Sequence, residues 1–298
     1  MKSLKYSFIL PIYNPPESFK TTLKCYENLE YNNFELILVD DSTDDLNKLI
    51  SFYSKKIDNL IYLKRNLKDG LDAAFNYGIK NSNGDIIVMA TDDNRPEPYF
   101  LNKLNVHYNN DVDVVIARSK VINYENLSAI YQSCYENSNY NNKSYRPKWS
   151  EGFSARKDCL ISVGLYPNLG VDGGNDNLLS EKLEKKFKVK RDFNIIMHHR
   201  APDNIKEFFN QQIQRGSAGP QFDLLYYKKR KEIVIFKYLI KMNILIFNFI
   251  TQLFFLFKSL TFFYHAENKR FYTFFKIWLS LNLRYIFHTL GEIKVLLK

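Results

Sequence analysis

The sequence predicts an α/β fold built on a Rossmann-like, mostly parallel central sheet flanked by helices, followed by a helical tail. Three observations lead there. Apolar runs of strand length, rich in Ile, Val and Leu, alternate with longer amphipathic stretches through the first half of the chain, the pattern of strands covered on both faces by crossover helices. Polar residues collect directly behind several of these runs. Beyond residue 221 the composition changes, and Lys is interleaved with Phe, Ile, Leu and Tyr.

Taken in order, YSFILPIY is the first strand; Pro11 interrupts its apolar run and no small-residue cleavage site follows, which argues against a signal peptide. FELILVDD, NLIYLKR, DIIVMATDD and VDVVIARS are further strands. PESFKTTLKCYENLEY and DGLDAAFNYGIKNSNG have the three-and-four spacing of helices packed on a sheet. Residues 123–148, rich in Asn, Tyr and Ser, show little apolar periodicity and read as a surface excursion. Order returns with a strand at Gly152 to Ala155, a short helix over Lys157 to Val163, a Gly-Gly turn opening a helix at Asp176, and the strand VKRDFNIIMHHR. Two glycines before a helix let backbone approach a ligand closely.

At 298 residues the chain suits one large α/β domain with an appendage, here drawn at 1–220 and 221–298. Sparse Gly and Pro and the absence of repeats exclude solenoid, collagen-like and disordered classes. The three cysteines form no C-x-x-C, against a disulfide framework or zinc ribbon. The net charge of +10 is almost all in the tail, where thirteen Lys or Arg face four Asp or Glu. Interleaved with aromatics, that charge suits an anionic membrane surface and not nucleic acid. Met242 to Phe257 carries no charge for sixteen residues, short of the roughly twenty of a full span. A membrane-inserted segment, an in-plane interfacial helix and a soluble helical subdomain all remain open for the tail.

In a parallel α/β sheet, ligands bind beyond the carboxyl ends of the strands. Pro11, Tyr13 and Asn14 follow the first strand, Asp40 and Asp41 the second, and Asp92 and Asp93 the fourth. Each acidic pair alone is also what a turn or helix cap looks like; three polar strand ends on one rim point to a site. Asp176 is equally an acid complementing a helix N-terminus.

These residues resemble, in order and spacing, the inverting family 2 glycosyltransferases of GT-A fold over about Lys5 to Gln221: FILPIYNPP, ELILVDDSTDD, NLKDGLDAAFNYGIKNSNGDIIVMATDDN, EGFSARKD, GGND, and HHR ahead of FFNQQIQRG. The resemblance implies transfer of a sugar from a nucleotide donor, UDP-sugar favoured, to a glycan or lipid-linked acceptor in cell-surface polysaccharide or lipopolysaccharide synthesis, at the cytoplasmic face of a membrane. Pro11, Tyr13, Asp40, Asp41 and Asp69 would border the nucleoside. TDDN matches the family's acidic metal motif, with Asp93 the direct ligand of Mn²⁺ or Mg²⁺, Asp92 facing the ribose or a metal-bound water, and Thr91 where many relatives carry a third acid. GGND resembles G-G-E-D, whose Asp is the general base; here that is Asp176, with Asn175 in place of Glu. Adjacent strand residues point to opposite faces, so of His198 and His199 one can serve, and His199 is favoured as a metal neighbour. In QQIQRG, Arg215 would screen phosphate charge and Gln211 meet the acceptor, as would Gly152 and Asn175. Phe75 stands where many relatives carry the Arg of A-R-N-x-G. Two alternatives are a polyprenyl-phosphate glycosyltransferase, suggested by the Pro-rich turn after TDDN, and a catalytically silent sugar-nucleotide binding or scaffolding protein.

Overall fold

A computed structural model describes residues 3–297 apart from 66, 68, 168, 172, 247 and 248, with backbone alone for 242–246 and 249–251. The chain runs β1 (Tyr6–Ile12), α1 (Phe19–Glu27), β2 (Phe34–Asp40), α2 (Asn47–Tyr53), β3 (Leu60–Lys64), α3 (Leu71–Lys80), β4 (Ile86–Met89), β5 (Arg95–Pro96), α4 (Phe100–Tyr108), β6 (Val114–Val121), α5 (Leu127–Tyr140), β7 (Ser154–Arg156), α6 (Lys157–Ser162), α7 (Asn175–Glu184), β8 (Val189–His199), α8 (Ile205–Gln221), then α9 (Lys231–Ile246), α10 (Phe249–Tyr264) and α11 (Phe271–Leu296). Contacts divide it into two compact units, the first Met1–Lys120, Arg146–Asn168 and Asn175–His199, the second Val121–Tyr145, Leu169–Gly174 and Arg200–Lys298.

The first unit carries an eight-stranded sheet in the order β3-β2-β1-β4-β7-β6-β8-β5. Its first four strands are parallel. β7, by contrast, runs antiparallel to both β4 and β6, and β5 is antiparallel to β8. The sheet is therefore mixed, where the sequence pattern pointed to a mostly parallel one. Apolar runs report burial and not strand direction, and β7 is only three residues long.

Alternation along β1 splits the core. Tyr6, Phe8, Leu10 and Ile12 pack with Phe19, Leu23 and Tyr26 of α1 and Phe100, Leu101 and Leu104 of α4. Ile9 packs on the other face with Ile37, Val39, the α3 residues Ala74, Phe75 and Ile79, and Leu160 and Leu179. Period two in the strand and period 3.6 in the helices meet at one interface. Gly78 sets the depth of α3: a Cβ there would lie 2.4 Å from Ile9 Cγ2. This close seating brings the first turn of α3 down on the strand that ends at Pro11 and Ile12.

In the second unit the segment read as a surface excursion contains the fourteen-residue helix α5. Its buried face mixes Ala129, Ile130, Tyr131 and Cys134 with Ser128, Ser133, Glu136 and Asn137, which hides the apolar period. Phe262, Ile277 and Leu281, far along the chain, complete its core. Helices α8 and α11 meet through glycine: a Cβ on Gly216 would be 2.0 Å from His288 O, and one on Gly291 2.1 Å from Ile213 O. Phe287 packs edge-on against Phe208 and Phe209. Two lysines that seemed to interrupt an apolar tail are paired with buried acids. Lys237 Nζ donates to Asp223 at 2.5 Å, alongside Lys229 at 2.6 Å, and Lys241 donates to Glu292. Among the described residues no helix is long and apolar enough to cross a membrane; of the uncharged run 242–257, the side chains of 242–251 lie outside the described set.

Candidate active site

At the carboxyl end of β1, Pro11, Ile12 and Tyr13 join Asp41, Leu67, Gly70, Leu71 and Ala74 around a cavity of about 320 Å³. Gly70 opens α3 at φ +97°, a conformation glycine adopts without strain. Tyr13 is 53% exposed, so its ring is available to a planar ligand. A second cleft of about 500 Å³ shares Asp41 and continues through Ser42 to Asn47, Tyr62 and Lys64. Asn14 ties the two strand ends together. Held at φ +43°, its backbone N–H donates to Ser42 Oγ at 2.7 Å, and its Oδ1 accepts from Thr43 N at 2.9 Å.

Asp40 and Asp41, alike in sequence, have different surroundings. Asp40 is fully buried and accepts from Ser42 N at 2.7 Å, Tyr62 Oη at 2.5 Å and Lys64 Nζ at 2.9 Å. Burial alone would raise its pKa, but these bonds to the ionised form outweigh it and hold the carboxyl below its ordinary value. Its oxygens are committed to the protein, so the structure gives Asp40 a scaffolding place behind the site and no opening toward a nucleoside.

Asp41 reaches the cavity and is gripped by Arg65, whose Nε lies 3.0 Å from Oδ1 and whose terminal nitrogen lies 2.6 Å from Oδ2. The same nitrogen reaches Asp69 Oδ1 at 2.5 Å. Arg65 thus fixes two residues that sequence had placed near the nucleoside, and its side chain is only 3% exposed. In the sequence it was one more basic residue at the end of NLIYLKR. An Arg that directly follows a half-buried strand, with Asp four residues on, was the signal available.

TDDN forms a closed turn. Asn94 N donates to Thr91 O at 3.0 Å, and Thr91 N donates to Asn94 Oδ1 at 3.1 Å. Asp93 Oδ1 accepts from Thr91 Oγ1 at 2.6 Å and Asn94 Nδ2 at 2.9 Å, so Thr91 acts here as an orienting donor. Burial, and then the charge of Asp93, push Asp92 up to about 6. Two neighbouring carboxylates, hard oxygen donors, fit a divalent cation. Among the described residues no group of three or more His, Cys, Asp or Glu is arranged to hold one. Two carboxylates with the remaining positions filled by phosphate oxygens and water is how Mg²⁺ commonly sits on nucleotide sites.

β8 pairs with β5 through Arg95 and His198, and continuing that register by one residue sets His199 opposite Asn94. His199 is buried at the strand end. His198 takes the opposite face, with Nε2 3.6 Å from Glu97 Oε1; burial holds its pKa down, against the pull of Glu97. Gly152, at φ +74°, is accounted for by packing, since a Cβ there would lie 2.9 Å from Phe100 Cζ.

α7 opens with Asn175 and Asp176. Asn175 is 4% exposed and its Nδ2 donates to Asp72 Oδ2 in the first turn of α3. Asp72 was not singled out in the sequence. Burial raises its carboxyl to about 6, with the charge of Asp176 adding to the rise and the bond from Asn175 opposing it. A Glu at 175 would have set a further carboxylate against these two, so the amide suits this neighbourhood. Phe75 is equally at home: it is buried and stacks on Tyr166 with ring centroids 5.4 Å apart. Gln211 and Arg215 belong to the second unit, on α8; Gln211 Oε1 accepts from Gln212 Nε2 at 3.0 Å, and the charge of Arg215 reaches Tyr131 of α5.

Comparison with known proteins gives these groups a context. The family model described as Glycosyl transferase family 2 matches residues 7–165. The chain is similar to the Probable glycosyltransferase YdaM of Bacillus subtilis (strain 168), 26% identical over 275 residues, covering 79% of this chain and 61% of that protein. It is also similar to the Amylovoran biosynthesis glycosyltransferase AmsB of Erwinia amylovora, 36% identical over 92 residues, covering 29% of this chain and 30% of that protein. It thus spans about three fifths and under a third of the length of these relatives. Among solved structures, the fold is like that of the mannosyltransferase PcManGT from Pyrobaculum calidifontis in complex with GDP-Man and Mn²⁺, with a TM-score of 0.59 at 17% identity, covering 77% of this chain and 66% of that one. S. aureus TarS 1-349 in complex with UDP-GlcNAc has a TM-score of 0.57 at 16% identity, covering 72% and 68%.

Proposed function

The chain belongs to glycosyl transferase family 2, and on that premise we propose that it transfers a sugar, with inversion, from a nucleoside diphosphate donor to a hydroxyl of a glycan or lipid-linked acceptor. The observation that carries this reading is the adjacent pair of carboxylates Asp92 and Asp93, close enough that the charge of Asp93 adds to burial in raising Asp92, at the carboxyl end of the strand beside β1. A turn would not need to keep two carboxylates so close together.

In this reading the nucleoside lies in the cavity, its base against Tyr13. Asp41, held by Arg65, accepts an imide N–H. A uridine nucleotide is favoured because uracil presents such a group; the UDP-GlcNAc complex of TarS supports that choice and the GDP-Man complex of PcManGT is its competitor. Asp93 and Asp92, with His199 nearby by strand register, would hold Mn²⁺ or Mg²⁺. The cation would neutralise charge gathering on the departing diphosphate. Asp176 takes the proton of the acceptor hydroxyl. The freed oxygen lone pair forms the new bond to the anomeric carbon from the face opposite the diphosphate, and the old C–O bond breaks with its electrons leaving on phosphate. A positioned base of this kind contributes about 10²- to 10⁴-fold.

The tail supports action at the cytoplasmic face of a membrane. Phe236, Phe257 and Phe271 are each more than half exposed, on helices with a large excess of Lys and Arg, which suits interfacial adsorption. The same feature favours a lipid-phosphate acceptor as a second reading, distinguished by an acid-labile product. The name of AmsB supports a place in polysaccharide synthesis.

Calorimetric titration with UDP and GDP, with and without Mn²⁺, tests the donor site, and NMR of the product anomer tests inversion. Affinity that is equal with and without metal in wild type and Asp93→Ala alike would sink the metal assignment. Absence of nucleotide binding would sink the function.

A further inference from the structure

Helix α3 contributes to two places at once. Gly70, Leu71 and Ala74, at its start, line the cavity assigned to the nucleoside. Asp72, between them in sequence, accepts the hydrogen bond of Asn175, the first residue of α7. Asn175 is buried, and among the described residues its other polar atom, Oδ1, has no hydrogen-bond partner, so within that set the bond to Asp72 sets the orientation of the amide. The turn before α7 ends in Gly173 and Gly174, the latter at φ +91°; glycines bring no side chain that would steady the helix start. Asp176 follows Asn175 directly.

We propose that Asp72 is a positioning residue for the reaction: through Asn175 it tethers the first turn of α7, and with it Asp176, to the helix that walls the donor cavity. The proposal rests on the reading of Asp176 as general base. The arrangement is costly, since Asp72 stands near a second acid and is partly desolvated. A charged acceptor forms a stronger hydrogen bond than a neutral one, and here it holds one amide in one orientation. It also accounts for Asn at 175: an amide donates to Asp72, whereas the Glu of related sequences would repel it. The tether sets the distance between acceptor base and donor wall, where an error of about 1 Å costs on the order of 100-fold in rate.

The test uses the full chain with Asp72→Ala, Asp72→Asn, Asn175→Ala and Asp176→Asn. UDP affinity is read by calorimetry, turnover as nucleotide released from UDP-glucose, UDP-GlcNAc and GDP-mannose with p-nitrophenyl glycosides or water as acceptor, and order by amide exchange across 175–184. Asp72→Ala and Asn175→Ala are expected to leave UDP affinity unchanged, lower kcat by roughly 10- to 100-fold and speed exchange at the start of α7. Asp72→Asn, whose carbonyl oxygen accepts the same bond, recovers most of that loss. Wild-type kcat and exchange in Asp72→Ala overturns the proposal. So does an Asp72→Asn variant as impaired as Asp72→Ala, which would assign the effect to charge. Failure of the underlying reading shows separately, as Asp176→Asn turning over at the wild-type rate, or as a wild type that releases no nucleotide while α7 exchange still rises in Asp72→Ala.

Discussion

Replacing Asp72 with Asn isolates the electrostatic cost of that side chain, because the amide keeps its size and can still accept from Asn175. The folded protein lifts the carboxyl from an ordinary 3.8 to about 6, so the folded state binds this proton more tightly than the unfolded state. The sign follows from linkage: the ionised group disfavours folding, a penalty absent below pH 3.8 that grows through pH 6 and is complete above it. Two units correspond to a ceiling of about 3 kcal/mol. Asp72 is only partly buried, and solvent screening reduces this to about 1 to 1.5 kcal/mol. The expected result is that Asp72→Asn gains about 1 kcal/mol relative to wild type on moving from pH 4 to pH 8, equivalent to some 2–4 °C in Tm. Urea melts of both proteins at the two pH values measure it. A difference between variant and wild type that is the same at pH 4 and pH 8 refutes the argument, because it means Asp72 titrates as an exposed carboxyl does.

Three further outcomes are expected. Arg65→Lys loses the two-pronged hold on Asp41 and the link to Asp69, and a point charge does not replace a planar fork; UDP affinity measured by calorimetry should fall by about tenfold, and an unchanged value removes Arg65 from the donor site. Gly291→Ala drives a methyl into the Ile213 carbonyl, an overpacking that costs about 1–3 kcal/mol and should appear as a lower Tm; an unaltered Tm means α8 and α11 separate easily. The chain should sediment with vesicles containing phosphatidylserine and not with purely zwitterionic ones, at about 1 kcal/mol per engaged Lys or Arg; equal partition would remove the electrostatic part of the membrane proposal.

The strands β1, β2, β3, β4, β6 and β8 were readable because each is an apolar run closed by a polar residue, and α1 and α3 because their buried residues keep helical spacing. The reversal at β7 was not readable, since three residues carry no sign of direction. α5 was missed because Ser, Glu and Asn occupy part of its buried face, and because its apolar partners come about 130 residues later in the chain. Within the site, the acidic pairs stood out by position. What each carboxylate does depends on groups that spacing does not show: Tyr62 and Lys64 absorb Asp40, Arg65 holds Asp41, and Asn175 reaches across to Asp72. The basic tail read as an appendage, yet Lys237 and Lys241 are matched to Asp223 and Glu292.

The way α5 finds its partners has a consequence for biosynthesis. Ile130, Tyr131 and Cys134 leave the ribosome well before Ile277 and Leu281, the residues that cover them. At about 5–20 residues per second, that interval lasts on the order of ten seconds or more. Throughout it a nascent helix presents an uncovered apolar face, and once β8 has emerged the whole sheet is able to fold while that face is still bare. Synthesis rate and chaperone occupancy, more than equilibrium stability, would then govern the yield of native protein, and slowing translation after residue 199 should lower it.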